Sequence, residues 1–359
     1  MMENRSFDHF LGWLPNADGK QAGLSYLDQS GAARPTHHLA GDFTGCGHIP
    51  PDHTFQGGRI QYSAGKMDGF LRSGNDTFSI GYYEEQDLTF FGALARRYTT
   101  LDRYFCSFLG PTFPNRIFLH SAQTDRISNT SDICQLETIW DRLSEAGISA
   151  RAYTRYLQLW GSEYEGITRG YEDYLNDAAT GQLPAVSFVD PPNSPAIGPV
   201  DDHPFADIRN GDAFLSQTCH ALVNSPCWPK SVLIVTFDEW GGFFDHVRPP
   251  RVIAPNTTDT DVIDGRVLLG LRVPTVVASP FSVGSASFPR VNSTVFDHTS
   301  VLKLIQWRWN LQPLTARDAS ADIGNLASVL DFASPRTTAP VLPVVTLGPK
   351  SPCDVSDSD

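Results

Sequence analysis

The chain has 359 residues, of which 41% are hydrophobic, and its 40 acidic residues outnumber 27 basic ones to give a formal net charge of -13. This excess of negative charge argues against nucleic acid as a main partner and against a polybasic membrane-binding patch. No apolar run approaches the length of a transmembrane helix, and the chain length suits a single α/β domain with a sizeable core.

The first polar motif runs from Glu3 to His9 and begins directly after Met1-Met2. A polar motif of this density normally follows a buried strand, and no signal peptide precedes it. We therefore predict that a strand and an export signal precede residue 1 in the complete protein. The rest of the first third, to about Asp87, is rich in Gly, Pro, Asp and His and is predicted to be mostly loop.

Apolar residues at helical or strand spacing predict the elements that follow. Helices are predicted at 88–98, 136–146, 208–222 and 301–309, and strands at 100–109, 150–153, 185–189, 232–237 and 273–278. Strands that alternate with helices in this order indicate a mainly parallel, doubly wound sheet. We predict one domain over 1–330 and a Pro-rich, then acidic, tail over 331–359 that drapes over the domain or frays.

The segment Gly110 to Arg116 predicts the amino end of a helix, with Pro114 at the first helical position. Thr112 then lies in the turn just before the helix, where backbone N–H groups form an anion site. A hydroxyl at this place attacks phosphorus if a metal or a base lowers its pKa. The alternative is that Thr112 serves only as a capping residue.

The apolar run 232–237 ends in two adjacent carboxylates, Asp238 and Glu239, followed by Gly241-Gly242. Open α/β sheets bind ligands at the carboxyl ends of their strands. Two neighbouring carboxylates repel each other unless a cation or a shared proton compensates. The pattern therefore predicts a cation site, and the alternative is a solvated strand end before a flexible loop.

Five of the ten histidines directly follow an aspartate, namely His9, His53, His203, His246 and His298. A carboxylate beside an imidazole raises the pKa of the ring, which suits general acid catalysis near neutral pH. Each pair alone is compatible with a structural histidine. Together with Asp238 and Glu239, the five pairs indicate a catalytic site.

The six cysteines show no CxxC motif and no Cys/His spacing of a zinc site. Cys219 and Cys227 are close enough in sequence to close a small loop. The others, which have no partner that the sequence identifies, are Cys46, Cys106, Cys134 and Cys353. Sequons such as those at Asn75 and Asn256 are compatible with an exported protein.

These residues together resemble the bacterial phospholipase C and acid phosphatase family, which includes the plant non-specific phospholipases C. The matching motifs are ENRSFDH at 3–9, GKMDGF at 65–70, PTxPNR at 111–116, DDHP at 201–204, FDExGGxxDHV at 237–247 and DHTS at 297–300. The resemblance runs from Glu3 to about Leu311. It implies an alkaline-phosphatase-like α/β fold with a mainly parallel sheet sandwiched by helices.

The resemblance also implies the roles of individual residues. The expected metal ligands are Glu3, Asn4, Asp238, Glu239 and Thr112, and Thr112 is also the expected nucleophile. The expected catalytic partners are His203, His246, His298 and Asp202, with Asp202 orienting His203. The expected substrate contacts are His53, Asn115 and Arg116. An all-oxygen ligand set favours one hard divalent ion, Ca²⁺, Mg²⁺ or Mn²⁺, over a thiolate-type zinc site.

The function that the resemblance implies is a metal-dependent phospholipase C, which hydrolyses glycerophospholipids through a phospho-threonine intermediate. One alternative is an acid phosphatase of broad specificity for phosphomonoesters. An alternative of another class is a truncated, non-catalytic lipid-binding protein. We expect a secreted or periplasmic protein that has a phospholipid or another phosphoester as its partner and contacts a membrane surface only transiently.

Overall fold

A computed structural model describes residues 1–194, 198–285 and 287–353 of the chain. The α-helices are α1 (Phe7–Leu11), α2 (Phe55–Tyr62), α3 (Thr89–Arg97), α4 (Thr112–Ser121), α5 (Ile139–Glu145), α6 (Tyr171–Thr180), α7 (Ile208–Val223), α8 (Thr299–Trp309) and α9 (Ala316–Ala319). Short 3₁₀ turns lie at Ser63–Gly65, Thr77–Ile80, Tyr156–Trp160, Trp228–Lys230 and Leu326–Val329. Among the helices described, none is both long enough and apolar enough to cross a lipid bilayer.

The β-strands of the described residues are short. They are β1 (Ser25–Leu27), β2 (Ala33–Pro35), β3 (His37–His38), β4 (Gly81–Tyr82), β5 (Thr99–Leu101), β6 (Ala150–Tyr153), β7 (Val186–Val189), β8 (Asn193–Ser194), β9 (Gly198–Pro199), β10 (Leu233–Val235), β11 (Arg251–Ile253), β12 (Arg266–Leu268), β13 (Val276–Ala278) and β14 (Arg290–Asn292). The first third contains only short elements, as its Gly- and Pro-rich sequence predicts.

Four strands form the central sheet in the order β10, β13, β5 and β14. β14 runs parallel to β5, whereas β13 runs antiparallel to both of its neighbours. Met2 continues the sheet past β10, since its N–H donates to the Thr236 carbonyl over 2.8 Å and it pairs in parallel with Phe237. A parallel pair is also formed by β6 and β7. The predicted α/β class is confirmed, and the direction of β13 is a feature that the alternation of strands and helices did not reveal.

The apolar core surrounds this sheet. Val276 and Val277 of β13 are fully buried, and α3 packs against the sheet with Leu94 and Ala95. Burying one such aliphatic side chain stabilises the fold by roughly 1.5–3 kcal/mol. The predicted helix 88–98 and the predicted strand 150–153 therefore match α3 and β6 closely, because their apolar spacing is what the core requires.

Some predicted strands are shorter in the structure. The run 100–109 pairs regularly only as far as Leu101 and continues as isolated bridges at Tyr104 and Phe105. The run 273–278 likewise contributes β13 only from Val276. Apolar composition identified these segments as buried, but regular pairing between strands covers only part of each run.

Residues 331–353 drape along the domain, which is one of the two alternatives that the sequence left open. Trp228 Nε1 donates to the Thr337 carbonyl over 2.9 Å, and a disulfide joins Cys353 to Cys46 with 5.5 Å between the Cα atoms. The sequence did not identify this pair. The small loop that Cys219 and Cys227 could close is not formed, since both residues are free thiols.

Replacing both Cys46 and Cys353 with Ser is expected to lower the free energy of unfolding by about 2–5 kcal/mol. The bond spans a sequence separation of 307 residues, so it restricts the unfolded chain strongly. Denaturant unfolding measures the loss, with Cys227→Ser as the matched control that leaves the disulfide intact. Equal stability of the double variant and the control would show that the bond does not stabilise the fold.

Candidate active site

The loop around Asn4 is bound along the end of β10. The Asn4 N–H donates to Asp238 Oδ1 over 3.0 Å, and the Arg5 N–H donates to the Glu239 carbonyl over 3.1 Å. Asn4 has a φ of 58°, in the left-handed region that Asn tolerates better than most residues. A Cβ on Gly241 would lie 2.0 Å from the Asn4 carbonyl oxygen, so this close approach requires glycine. Two motifs far apart in sequence therefore meet at one place.

Arg116 is a buried side chain that contacts three carboxylates. Its Nη2 donates to Glu3 Oε1 over 2.6 Å and its Nη1 to Asp190 Oδ1 over 3.0 Å. Its Nε lies 3.5 Å from Asp238 Oδ2. The guanidinium carbon lies 3.6 Å from the ring centroid of Tyr156, whose hydroxyl donates to Glu3 Oε1. The expectation that Arg116 contacts substrate is corrected, because its guanidinium is held among these carboxylates.

Thr112 is the first residue of α4 and lies one helical turn before Arg116. Residues four apart project from the same face of a helix, so Thr112 lies on the side where Arg116 meets the carboxylates. The side chain is 1% exposed, and its Oγ1 has no hydrogen-bond partner within the described chain. It also makes no capping bond, so the alternative that Thr112 is only a cap is wrong. The helix begins at Thr112, whereas the sequence predicted that it would begin at Pro114, two residues later.

Three buried oxygens here have no hydrogen-bond donor among the described residues, namely Asn4 Oδ1, Thr112 Oγ1 and Asp238 Oδ2. An unsatisfied buried polar group costs about 1–3 kcal/mol, and folded proteins normally satisfy such groups. The Asn4 amide is oriented by its Nδ2, which lies 3.4 Å from His53 Nε2, so that Oδ1 is left for another partner. A cation is a partner that satisfies three oxygens at once.

Two more of the expected ligands are held nearby. Glu239 Oε2 accepts the Gly241 N–H over 2.6 Å, and Glu239 Oε1 lies 4.0 Å from His53 Nε2. Glu3 Oε1 is bonded to both Arg116 and Tyr156, so Glu3 would have to offer its other oxygen to an ion. With that condition, the donor atoms of the five expected ligands are all oxygens, which is the chemistry that a hard cation prefers.

The electrostatics of the site are dominated by buried negative charge. Burial, and then the neighbouring Glu3, raise the pKa of Asp238 well above its usual range. Burial and Glu3 also raise the pKa of Asp201 to about 6, and the Asp201 carbonyl accepts the Glu3 N–H over 2.7 Å. Arg116 lowers the pKa of Asp238 but does not outweigh these two effects. A cation among these groups would favour their charged forms.

His53 and His203 are half-buried and lie next to each other. Their ring centroids are 6.1 Å apart in an edge-on arrangement. His53 donates from Nδ1 to the Pro51 carbonyl over 2.9 Å, and His203 donates from Nδ1 to the Pro204 carbonyl. In the neutral form these bonds leave Nε2 of each ring as an acceptor. Both rings therefore have the tautomer that suits proton transfer at Nε2.

His298 is fully buried and holds the backbone of Asp238. Its Nε2 donates to the Asp238 carbonyl over 2.6 Å, and its Nδ1 lies 3.3 Å from the Tyr104 hydroxyl. Burial lowers the pKa of His298 to about 4, so the ring is neutral near pH 7. The expectation that His298 binds phosphate or protonates the leaving group is corrected, since both ring nitrogens already have partners.

Asp202 does not orient His203. The Asp202 carboxylate is buried against Gly211, where a Cβ would lie 1.9 Å from Asp202 Oδ1. Within the described residues it makes no hydrogen bond to the His203 ring, and its carbonyl accepts from Arg5 Nε over 2.8 Å. Burial raises the pKa of Asp202 well above its usual range. The predicted role of Asp202 is therefore corrected to a structural one.

Asn115 shapes the loop before Thr112. Its Nδ2 lies 2.9 Å from the Gly110 carbonyl and 3.1 Å from the carbonyls of Phe108 and Pro111. Its Oδ1 accepts the Phe108 N–H over 2.9 Å. The expected contact between Asn115 and substrate is corrected, because the amide is used to fix the backbone that presents Thr112.

His246 belongs to a second acidic cluster. Its Nδ1 contacts Asp8 Oδ2 over 2.5 Å. Within the described chain, Asp8, Asp245 and His246 form a group whose potential ligand atoms all lie within 4.8 Å of one another. Arg272 binds both carboxylates, since Nη2 donates to Asp8 and Nε to Asp245, each over 3.0 Å, and Asp18 also contacts the His246 ring. The structure places His246 in this cluster, and the expectation that it acts at the reacting phosphate stays a prediction.

His9 also has structural contacts. Its Nδ1 donates to the Gly81 carbonyl over 2.7 Å, and its Nε2 accepts from Arg5 Nη1 over 3.0 Å. The ring stacks on Phe243 with 3.9 Å between centroids. Burial lowers the pKa of His9 well below its ordinary value. His9 therefore braces the first motif in a neutral form.

Comparison with known proteins gives consistent similarities. The chain matches the model of the Phosphoesterase family over residues 1–312. It is 30% identical to non-specific phospholipase C6 of Arabidopsis thaliana, over 99% of this chain and 77% of that protein. It is also 30% identical to phospholipase C B of Mycobacterium tuberculosis, over 93% of this chain and 77% of that protein. A phosphonate monoester hydrolase structure from Agrobacterium radiobacter aligns with a TM-score of 0.37 and 12% identity, over 84% of this chain and 77% of that chain.

His246→Gln is expected to reduce the pH dependence of stability above about pH 6.5. Burial lowers the pKa of His246, but the hydrogen bond and charge of Asp8 raise it further, so the folded pKa exceeds the ordinary value. The stabilisation is then complete below the unfolded pKa and is lost as pH rises through the folded pKa. Urea unfolding at several pH values on both sides of the unfolded pKa measures this loss of stabilisation, with His37→Gln as the control outside the cluster. Parallel stability profiles of His246→Gln and the native protein would contradict the pairing.

Proposed function

We propose that this chain, which belongs to the phosphoesterase family and is a hydrolase of phosphoric esters, acts as a metal-dependent phospholipase C. Thr112 is the proposed nucleophile. The proposed ligands of one divalent cation are Glu3, Asn4, Thr112, Asp238 and Glu239. The observation that carries the proposal is the set of unsatisfied buried oxygens on Asn4, Thr112 and Asp238.

A cation explains these oxygens better than a buried water does. A water molecule satisfies hydrogen bonds but adds no charge, whereas Glu3, Asp190 and Asp238 contact the guanidinium of Arg116, the Met1 amino group lies 3.7 Å from Asp190, and Glu239 adds a further negative charge near Asp238. The donor atoms are carboxylate, amide and hydroxyl oxygens, which favour Ca²⁺, Mg²⁺ or Mn²⁺. Such an ion would neutralise phosphate charge and lower the pKa of the Thr112 hydroxyl.

In the proposed reaction, Thr112 Oγ1 attacks phosphorus and its proton passes to Nε2 of neutral His203, with His53 beside it. The bond between phosphorus and the diacylglycerol oxygen breaks, the departing oxygen takes that proton from His203, and the phosphoryl head group is carried on Thr112. Water then attacks the phospho-threonine and gives a proton to His203, which passes it to Thr112 Oγ1 as the bond between Oγ1 and phosphorus breaks, so that the phosphorylated head group is released and the hydroxyl is restored. The half-buried position and the fixed Nδ1 hydrogen bonds of the two histidines support this assignment.

One observation supports a lipid phosphodiester as the substrate, and another supports a place of action outside the cytoplasm. The two relatives named above with 30% identity are phospholipases C, which favours a phosphodiester substrate over the phosphomonoester of an acid phosphatase. The disulfide between Cys46 and Cys353 is typical of oxidising compartments. The protein would then meet its lipid at a membrane surface without crossing it.

Removing divalent ions is expected to abolish turnover of p-nitrophenyl phosphorylcholine and to lower the melting temperature. At about 100 times its Kd, a bound ion stabilises the folded state by roughly 2.7 kcal/mol, so thermal melting reports binding without any activity. Adding back Ca²⁺, Mg²⁺ or Mn²⁺ should restore both properties better than Zn²⁺.

The matched control for this experiment is a second buried aspartate. Asp238→Asn should lose the response to ions, whereas Asp212→Asn should keep it, because Asp212 accepts the N–H groups of Phe90 and Phe91 at the start of α3. A melting temperature and a turnover rate that do not respond to chelation would contradict the proposed metal site.

Thr112→Ala is expected to lower kcat by about 10³-fold or more, because the covalent route is lost. Its stability without metal should equal or exceed that of the native protein, since the change removes a buried hydroxyl that has no partner. Thr112→Ser should keep part of the rate, and acid quenching during turnover should trap phosphate on the introduced hydroxyl.

The measurement compares p-nitrophenyl phosphorylcholine with p-nitrophenyl phosphate for each protein. A folded Thr112→Ala variant with near-native turnover would show that water attacks phosphorus directly. Faster native turnover of the monoester than of the diester would favour the acid phosphatase alternative.

A further inference from the structure

A cavity of about 500 Å³ opens beside the candidate active site. It lies between the end of β6, the end of β7 and the start of α6. Its walls include Tyr153, Arg155, Arg169, Tyr171 and Asp190. This volume is within the range of pockets that bind small molecules, about 300–1,000 Å³.

The cavity shares side chains with the site that is proposed to hold the phosphate. Asp190 forms part of the wall, and its Oδ1 accepts from Arg116, which in turn binds Glu3. On the other side, Arg155 interacts with the Tyr156 hydroxyl, and this hydroxyl donates to Glu3. A group bound in the cavity would therefore lie next to a phosphate held at the site.

The charge that lines the cavity is mainly positive. Arg155 and Arg169 are exposed, and neither forms an ion pair with an Asp or Glu in the described parts of the chain. The wall carboxylate of Asp190 is 3% exposed and is bonded to Arg116 and Thr154. Two guanidinium groups are thus available to a ligand, whereas the carboxylate is already neutralised.

The aromatic residues of the cavity contribute their rings and not their hydroxyls. The Tyr153 hydroxyl donates to Asp177, and the Tyr171 hydroxyl lies 2.9 Å from Thr218 Oγ1. A quaternary ammonium group would meet these two rings but would also meet the two arginines, and like charges repel. An anionic group meets no such repulsion.

We infer that this cavity binds the head group of the phospholipid and favours a head group that carries a negative charge of its own, such as a second phosphate, over a quaternary ammonium. The inference rests on the proposed phospholipase C function, since it assigns the substrate class of that same site. Arg155 and Arg169 are the specificity-determining residues.

The test measures binding without turnover. Isothermal titration of the metal-loaded enzyme uses inositol 1,4-bisphosphate and phosphocholine, which are the phosphorylated head groups that cleavage of the two kinds of lipid would release. The native protein should bind the bisphosphate more tightly. Arg155→Gln/Arg169→Gln should weaken that binding about 3- to 30-fold, as expected for two partly exposed ion pairs, and should bind phosphocholine at least as tightly as the native protein does, because the repulsion of its ammonium group is removed.

Arg308→Gln is the matched control, because Arg308 is an exposed arginine of α8 that lies outside the cavity. Arg169→Glu should weaken bisphosphate binding further than Arg169→Gln does. Equal affinities of the native protein for both probes, or equal losses in the cavity variant and the control, would overturn the inference.

Turnover separates this inference from the proposed function. In the same detergent micelles, the native enzyme should prefer phosphatidylinositol 4-phosphate to phosphatidylcholine, and the ratio of the two rates should fall in the cavity variant and stay unchanged in Arg308→Gln. Cleavage of both lipids with an unchanged preference in the variant would overturn the cavity assignment alone. Failure to cleave any phosphodiester would overturn the proposed function itself.

Discussion

The site depends on one buried guanidinium, that of Arg116, which holds carboxylates from separate parts of the chain. Glu3 comes from the first loop, Asp190 follows β7 and Asp238 follows β10, and all three contact Arg116. Removing one partner of a buried ion pair destabilises a protein by about 3–5 kcal/mol, because the other charge stays buried without compensation. Arg116 therefore fixes the geometry of the site. With the Met1 amino group, which lies 3.7 Å from Asp190, it supplies two positive charges beside the carboxylates of Glu3, Asp190, Asp238 and Glu239, and burial still raises the pKa of Asp238. The free-energy cost of ionising Asp238 without a further positive charge is the physical basis of the proposed cation.

The second acidic cluster shows the contrast. Asp8 and Asp245 share the fully buried Arg272, and His246 lies against Asp8 with a raised pKa. Burial raises the pKa of Asp245 to about 6, and Asp18 also contacts His246, so negative charge remains at this cluster too. The potential ligand atoms of Asp8, Asp245 and His246 lie within 4.8 Å of one another, which is compatible with a metal site. The two clusters differ in hydrogen bonding, because among the described residues buried oxygens without a hydrogen-bond partner lie on Asn4, Thr112 and Asp238 and not on Asp8 or Asp245. The proposal of a cation beside Arg116 rests on that difference.

Local patterns in the sequence predicted the elements that depend on local spacing. The helix that became α7 and the strand that became β6 were placed within about one residue, because amphipathic periodicity directly reflects burial. Asp238 was placed at a strand end because the apolar run before it, which does not alternate with polar residues, predicted a strand buried on both faces. The sequence could not give the direction of β13 or the bond between Cys46 and Cys353, since these depend on contacts between residues far apart in the chain. Tyr156 was missed because its contact with Glu3 has no local signal.

The histidines show why a local rule about charge fails inside a folded protein. The rule expects the preceding aspartate to raise the pKa of each ring, but Asp297 pairs with Arg317, and burial lowers the pKa of His298 to about 4. His246 does gain a carboxylate partner, yet that partner is Asp8 and comes from a distant segment. Adjacent side chains leave the backbone in different directions, so the neighbour in sequence is seldom the partner in space. Desolvation then outweighs one adjacent charge wherever the ring is fully buried. Of the histidines predicted to act at the site, His53 and His203 are the half-buried pair that lies beside the proposed ligands, and the proposed function gives proton transfer to them for that reason.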